Sequence, residues 1–395
     1  MDNFTSFYAM ESGYFAERNC AHTSREIAMQ PAVWNELCGI LAEKKGEIEA
    51  FMNKIGGPGK LRTVFAGAGS SAFVGDALSA FVAKSAGIRT ESAHTTDIVS
   101  APGSYLFPDV PTLLVSFARS GSSPESIGAV EYARQAVKNL YEITIVCDGA
   151  SKLYNLAAQR GDGLILVMPE SANDKGFAMT SSVSCMMLAG FVLFNLDKLD
   201  DIIKDISLLS KNVANSGRAL TKTAVRWAKR DFDRVVYLGS GGQKHIAHEA
   251  SLKMMELTNG AVNGSYESAA GFRHGPKSVV KDKTLTAHMI SCDGFTARYD
   301  RDLLAEIYNQ KKGNAVISIG GDDISLCDEA VPVPTEGYGA AADICTGLHA
   351  LVFCQMLAMF KAIELGVPVD NPSPGGEVNR VVKGVTIYDA PPVIS

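Results

Sequence analysis

Several features that would define a function class are absent from this sequence of 395 residues. No Lys/Arg cluster exceeds a short pair, and the net charge of −6 argues against a nucleic-acid-binding surface. The eight cysteines stand singly, without a C-x-x-C pair, so neither a zinc ribbon nor a disulfide framework is predicted. The longest apolar run, CMMLAGFVLF (185–194), is too short to span a bilayer, and the N-terminus lacks a signal-peptide pattern. We therefore expect a cytoplasmic protein with no membrane or nucleic-acid partner.

The sequence also lacks the common motifs for nucleotides, metals and serine hydrolysis. Neither the G-x-x-x-x-G-K-[ST] loop nor the G-x-S-x-G elbow is present. The segment HIAHE (245–249) is superficially like a metal-binding helix, but it does not have the H-E-x-x-H order. We expect no metal and no other cofactor.

An internal repeat of about 170 residues organises the chain. Four strand-like segments of the first half recur in the same order in the second. The pairs are TVFAGAGSSAF (63–73) with VVYLGSGGQKH (235–245), TLLVSFARS (112–120) with LTAHMISCD (285–293), EITIVCD (142–148) with NAVISIGGD (314–322), and GLILVMP (163–169) with EAVPVPT (329–335). Short β-branched runs that alternate with helical spacing predict parallel sheets covered by helices on both faces.

The repeat predicts two tandem α/β domains, each a doubly wound parallel sheet in a three-layer αβα arrangement. We expect a helical N-terminal arm at 1–50, the first domain at 51–210, the second at 218–372 and a tail at 373–395. Within the arm, TSRE (23–26) predicts a capping box that opens a helix.

Two loops rich in glycine and serine follow strand-like segments of the first half. AGAGSSA (66–72) should turn tightly into a helix whose N-terminus attracts an anion. It also fits G-x-G-x-x-A, so a dinucleotide site with Glu91 at the ribose stays open, as does a plain packing turn. SFARSGSSPES (116–126) places five serines and Arg119 after the next strand. Two such loops at the carboxyl ends of strands fit a small phosphate better than a dinucleotide.

Acid–base residues concentrate in the second half. Glu249, Lys253 and Glu256 are spaced four and three apart, which places them on one face of a helix. His274 follows on a Gly-Pro corner in GFRHGPKSVV (271–280). An imidazole and a carboxylate are typical of proton transfer. A solvated salt-bridge ladder and a packed structural histidine are the alternatives.

Together these motifs resemble the sugar isomerase (SIS) domain family, over nearly the whole chain. Within it, the similarity is to the isomerase half of glucosamine-6-phosphate synthase and, more closely, to the galactosamine-6-phosphate deaminase/isomerase group, also called tagatose-6-phosphate ketose/aldose isomerases. The segments that carry it are TSREIA (23–28), GAGSSAF (67–73), FARSGSSPES (117–126), GFAMTSS (176–182), VYLGSGG (236–242), GFRHGPKS (271–278) and NRVVKGV (379–385).

The resemblance implies a role for each matching residue. Glu256 would move a proton between C1 and C2 of the open-chain sugar, and His274, supplied by the neighbouring subunit, would open the ring. Lys383 in the tail would close over the sugar and form a Schiff base, with Lys253 near its reacting end. Substrate-binding positions are implied at Gly69, Ser70, Ser71, Arg119, Ser120, Ser123, Phe177 and Ala178.

The implied activity is a deaminating isomerisation in amino sugar catabolism. A 2-amino-2-deoxy-hexose 6-phosphate, D-galactosamine 6-phosphate foremost, would yield tagatose 6-phosphate and ammonia in a homodimer or higher homo-oligomer with shared active sites. The glutaminase domain of the synthase is missing, which favours ammonia release. Ala118 and Arg119 depart from the synthase's phosphate loop. Plain aldose–ketose isomerisation, a sugar-phosphate sensor and a dinucleotide oxidoreductase are the alternatives.

Overall fold

Two five-stranded parallel sheets form the framework of the protein in a computed structural model, which describes residues 3–11, 13–321, 324–382 and 384–390. The strands of the first sheet are β1 (Arg62–Gly67), β2 (Thr90–His94), β3 (Thr112–Ala118), β4 (Leu140–Val146) and β5 (Leu164–Val167). Those of the second are β6 (Arg234–Leu238), β7 (Asn263–Glu267), β8 (Thr284–Met289), β9 (Ala315–Ile319) and β10 (Glu329–Val331).

The two sheets have the same strand order and the same register. The first runs β2-β1-β3-β4-β5 and the second β7-β6-β8-β9-β10. Arg62 lies opposite Thr112 in the first sheet, and Arg234 lies opposite Thr284 in the second. The predicted fold class, two doubly wound parallel sheets with a helical N-terminal region, is confirmed.

Helices cover both sheets and build the N-terminal region. They are α1 (Asn3–Tyr8), α2 (Ala21–Glu43), α3 (Lys45–Lys54), α4 (Ser70–Ala86), α5 (Thr95–Ser100), α6 (Pro102–Tyr105), α7 (Pro124–Ala136), α8 (Lys152–Arg160), α9 (Ser181–Leu193), α10 (Leu199–Ala228), α11 (Gly242–Leu257), α12 (Ala269–Phe272), α13 (Gly294–Asn309) and α14 (Ala342–Glu364). Helix α14 is long and apolar enough to cross a membrane, but 94% of its apolar window is buried inside the protein. The predicted domain limits stay predictions; α10 runs through the residues between them.

One strand in each sheet was not identified from the repeat. Strands β2 and β7 lie at sheet edges and carry the polar sequences TESAH and NGSYE. Most of their side chains are only partly buried. The continuous apolar run that marks a fully covered parallel strand is therefore absent from both.

The chain divides into two compact units, each with one sheet. The unit of the second sheet consists of Met1–Ala32, Lys175–Thr180 and Asp200–Gly375, and that of the first of Val33–Asp174, Ser181–Leu199 and Gly376–Ser395. Val64, Leu114 and Val146 belong to the core of the first sheet, where Ile387 of the C-terminal segment also packs. Val236 and Phe272 belong to the core of the second.

The capping box predicted at TSRE is wrong. Helix α2 begins at Ala21, so Thr23 lies inside its first turn. The backbone N–H of Thr23 donates to Asp370 Oδ1 at 2.8 Å. Glu26 instead accepts from the backbone N–H of Lys175 and Gly176, at 2.5 and 3.1 Å. A distant carboxylate therefore takes the place of the local cap.

Gly264 of β7 should be among the glycines on which stability depends most. A Cβ there would lie 2.3 Å from the backbone oxygen of Ser251 in α11. We expect Gly264→Ala to lower the free energy of unfolding by about 1–3 kcal/mol, because the helix must move off the strand. Gly39→Ala, on an open stretch of α2, should raise it by roughly 0.5–1 kcal/mol. Urea denaturation measures both; equal effects of the two substitutions would contradict the close-packing argument.

Candidate active site

The strand order of the first sheet creates a crevice between β1 and β3. The chain leaves β1 for β2 on one side and returns to β3 on the other, so the two following loops diverge. Ligands of doubly wound sheets bind at such a switch point, outside the carboxyl ends of the strands. Both serine loops identified in the sequence begin there.

The loop after β1 is shaped by two glycines. A Cβ on Gly67 would lie 2.4 Å from the carbonyl carbon of Ser71, so no side chain fits. Gly69 has φ +55°, a conformation that L residues rarely adopt. Ser70 and Ser71 then open α4 and are buried. The free N–H groups of a helix's first turn favour an anion at this position.

The loop after β3 is held together by its own hydroxyl groups. The N–H of Ser122 donates to Ser120 Oγ at 3.4 Å, and the hydroxyls of Ser123 and Ser126 are hydrogen-bonded at 2.7 Å. Ser120 and Ser123 are partly exposed. The serines of the loop therefore offer neutral hydroxyl donors.

Arg119 contacts the C-terminal segment. The residue is 7% exposed, and its Nη2 donates to the carbonyl oxygen of Arg380 at 2.7 Å. The guanidinium of Arg380 in turn donates to the backbone oxygen of Asp174. Sequence reasoning missed Arg380, although it stands in the motif NRVVKGV. Lys383, the predicted tail residue, lies outside the described residues.

The second sheet repeats this switch point between β6 and β8. Gly241 has φ +59° and ψ −132°, almost the values of Gly69, +55° and −131°. Here, however, the carboxylate of Asp300 in α13 lies between the loops. It accepts from Ser240 Oγ at 2.5 Å and from the N–H of Ser291 at 3.0 Å, and Asp300 as a whole is 2% exposed. Burial raises its pKa, and the two hydrogen bonds oppose that shift. Nothing in the sequence pattern marks Asp300.

Helix α11 brings the predicted stripe together. Lys253 Nζ lies 3.3 Å from Glu249 Oε1 and is hydrogen-bonded to Glu256. The side chains of Lys253 and Glu249 are fully buried, whereas that of Glu256 is 25% exposed. The stripe is therefore not a solvated ladder: its inner end is sealed and its outer carboxylate can meet a ligand.

Lys253 is a cation in this arrangement. Burial by itself would lower the pKa of Lys253, but Glu249 and Glu256 outweigh it and hold that pKa above its usual value. A protonated amine has no lone pair with which to attack a carbonyl. The geometry thus assigns Lys253 to electrostatics and hydrogen bonding, and the free end of the stripe to Glu256.

His274 stands on an exposed turn between α12 and a 3₁₀ helix at Pro276–Val279. Its ring has no hydrogen bond or ion pair within the described part of the chain. Its two flanks are fixed, because Arg273 Nε lies 2.6 Å from Glu306 Oε2 and Lys277 also pairs with Glu306. The corner is rigid while the imidazole itself faces outward.

Phe177 and Ala178, predicted to line the sugar, are buried at 7% and 0% exposure. They follow Lys175 and Gly176, and the backbone N–H groups of these two residues donate to the carboxylate of Glu26. Among the described residues, no three His, Cys, Asp or Glu side chains come together as a metal site. In the metal-like segment HIAHE, the ring of His248 stacks on Tyr266 with 3.8 Å between centroids.

The repeated sheets are matched by a family model. The SIS domain model matches residues 59–196 and 230–356, so the chain belongs to the SIS domain family. A D-galactosamine-6-phosphate deaminase, AgaS, of Shewanella sp. strain ANA-3 is 38% identical over 93% of this chain and 91% of its own length.

Solved structures agree with that relationship. A tagatose-6-phosphate ketose/aldose isomerase from Escherichia coli is 32% identical, with a TM-score of 0.85 over 93% of this chain and 96% of the solved chain. A candidate tagatose-6-phosphate ketose/aldose isomerase from Clostridium novyi NT is 39% identical, with a TM-score of 0.92 over 96% and 98%.

Removing the buried cation should destabilise the protein strongly. Lys253→Met leaves Glu249 buried without its partner, so we expect the free energy of unfolding at pH 7 to fall by about 3–5 kcal/mol. Adding Glu249→Leu should recover part of that loss. Because the pKa of Lys253 is raised, its contribution should persist at neutral pH and disappear only as the pH rises through that elevated pKa.

Chemical denaturation from pH 7 to 11 measures these effects. Lys204→Met is a suitable control, since Lys204 forms an exposed ion pair with Asp201 at 2.8 Å and should leave stability nearly unchanged. A Lys253→Met protein as stable as the control would contradict the charge assignment.

Proposed function

We propose that this protein is an amino sugar phosphate deaminase/isomerase that converts D-galactosamine 6-phosphate to tagatose 6-phosphate and ammonia. One observation carries the proposal: Glu256 is a partly exposed carboxylate hydrogen-bonded to a buried ammonium group. Support comes from relatives named for this deaminase that match over nearly their whole length.

The serine loops of the first sheet hold the 6-phosphate in this proposal. Ser70 and Ser71 stand in the first turn of α4, and Ser120 and Ser123 offer hydroxyl donors after β3. Neutral donors with a helix N-terminus suit a phosphate that must both bind and leave. Gly69 allows the close approach of the backbone.

Glu256 moves the proton. With the sugar in its open form, its carboxylate removes the hydrogen of C2, the electrons of that bond form a C1–C2 double bond, and the C1 carbonyl oxygen takes a proton from solvent, which leaves a hydroxyl on C1 and an amine on C2. Return of the proton from Glu256 to C1 gives a protonated ketimine at C2. Water adds to that carbon, ammonia leaves and one proton returns to solvent, giving the ketose. The sequence consumes one water and needs no oxidant or reductant.

Lys253 positions Glu256. The hydrogen bond between the ammonium and the carboxylate fixes the orientation of the base, which general acid–base catalysis requires. Glu249 maintains that ammonium in its charged form. The same shuttle would serve a plain aldose–ketose isomerase, the second candidate, which is favoured by the names of the solved relatives.

His274 opens the sugar ring in a neighbouring subunit. Its exposed ring and fixed flanks suit a group that acts across an interface, so we include a homodimer or higher homo-oligomer in the proposal. Lys383, Phe177 and Ala178 remain assigned to the sugar site from the resemblance. The eight cysteines are in the thiol form, which fits a cytoplasmic location.

Glu256→Gln should separate chemistry from binding. The amide cannot take the C2 proton, so we expect ammonia release to fall by about 10²–10⁴-fold, while the affinity for the sugar phosphate changes little. Coupled detection of ammonia with galactosamine 6-phosphate, glucosamine 6-phosphate and their N-acetyl forms gives the rate and the substrate. Calorimetry gives the affinity.

Matched outcomes distinguish the two candidates. Ketose formed from an aldose 6-phosphate, with no ammonia from any amino sugar, would favour the isomerase. Ammonia release by Glu256→Gln at the wild-type rate would refute the role of Glu256.

Shared sites predict complementation between two inactive variants. When Glu256→Gln and His274→Ala chains are unfolded together and refolded, mixed dimers should contain one site with both wild-type groups. We expect activity well above that of either variant alone. Each variant refolded separately is the control, and a mixture no more active than the controls would place both groups in one chain.

A further inference from the structure

The second sheet repeats the loop arrangement that we assign to phosphate in the first, and a carboxylate of the protein is hydrogen-bonded to both of its loops. Its loops start at the carboxyl ends of β6 and β8, which pair in the register of β1 and β3. Gly241 matches Gly69 in both backbone angles. A shape that suits phosphate in one half is therefore repeated in the other.

The carboxylate of Asp300 lies between these two loops. Asp300 Oδ1 accepts from the hydroxyl of Ser240 in the first loop, and Oδ2 accepts from the N–H of Ser291 in the second. Thus each oxygen satisfies a donor from a different loop. A bound phosphate would use the same kinds of donor, a hydroxyl and a backbone N–H.

We propose that Asp300 is a built-in anion that closes the second phosphate-type site, so that each chain binds phosphate only at the first sheet. The carboxylate also ties the Ser240 loop, from which α11 begins, to the loop after β8. The proposal rests on the duplicated geometry and does not require the deamination chemistry.

Neighbouring groups do not offer Asp300 another role. Its oxygens bond to Ser240 and Ser291, while Asp293 in the same region caps α13 by accepting from the N–H of Thr296 at 2.9 Å. Asp293 therefore serves the helix, whereas Asp300 bridges the two loops. Of these two carboxylates, Asp300 is the one that is hydrogen-bonded to both loops of the crevice.

Deleting the carboxylate should open the second site to phosphate. We expect Asp300→Gly, which removes the whole side chain, to bind one more inorganic phosphate per chain than the wild type in isothermal titration calorimetry. Asp300→Asn fills the space without charge, and Asp302→Ala alters an exposed residue of the same helix; both should keep the wild-type count.

Asp300→Ala is the second variant, because glycine inside a helix costs about 1 kcal/mol. If either variant is folded and binds no additional phosphate, the proposal is wrong. If neither folds even in phosphate buffer, an external anion cannot replace the carboxylate, and the proposal is equally overturned. The two failures are distinguishable: a wild type that binds no phosphate would count against the proposed function, whereas a wild type that binds phosphate and a variant that binds no more would count against this inference alone.

Discussion

The ammonium group of Lys253 lies where no water reaches it, and a lone charge there would cost several kcal/mol. Two carboxylates on the same helix offset that cost, one of them fully buried and the other at the surface. The helix can pack tightly between its sheet and α14 only because this charge is matched inside it. Glu249 balances the charge of Lys253 from inside the protein. Glu256 pairs with the same ammonium group but is partly exposed to solvent. Burial of the cation and exposure of the Glu256 carboxylate are thus two results of one arrangement.

The order of the parallel strands in the second sheet determines where α11 begins. When the strands of each sheet are numbered along the chain within that sheet, both sheets have the order 2-1-3-4-5. The loops that follow the first and third strands therefore diverge at the same edge of the sheet. In the first sheet those loops are lined by hydroxyls, and in the second they are bridged by Asp300. The same backbone therefore presents hydroxyl groups at this edge in one half and a carboxylate bridge at the start of α11 in the other.

Local patterns were sufficient for much of this structure. Apolar β-branched runs identified four strands of each sheet, and the spacing of Glu249, Lys253 and Glu256 indicated one helix face. The edge strands β2 and β7 cannot be predicted in this way, because partly exposed strands have no continuous apolar run. Their existence depends on pairing with a neighbour that is distant in sequence.

Contacts across long stretches of sequence could not be predicted. Asp370 caps α2 from 347 positions away, and Arg119 binds the carbonyl of Arg380. Asp300 looks like any acidic residue of an amphipathic helix until the loops of β6 and β8 are in place. Such partners have no periodicity and no motif, because only the folded backbone brings them together.

The interleaving of the chain limits how it can be dissected. Ile387 packs against the core of the first sheet, while the rings of Tyr8 and Phe15 contact that of Phe360 in the unit of the second. A fragment cut at 51–210 or 218–372 would lose these apolar partners and expose the surface they cover. We therefore expect each fragment to be less stable than the same unit in the full chain, and chimeras between relatives should exchange terminal segments together with the sheet against which they pack.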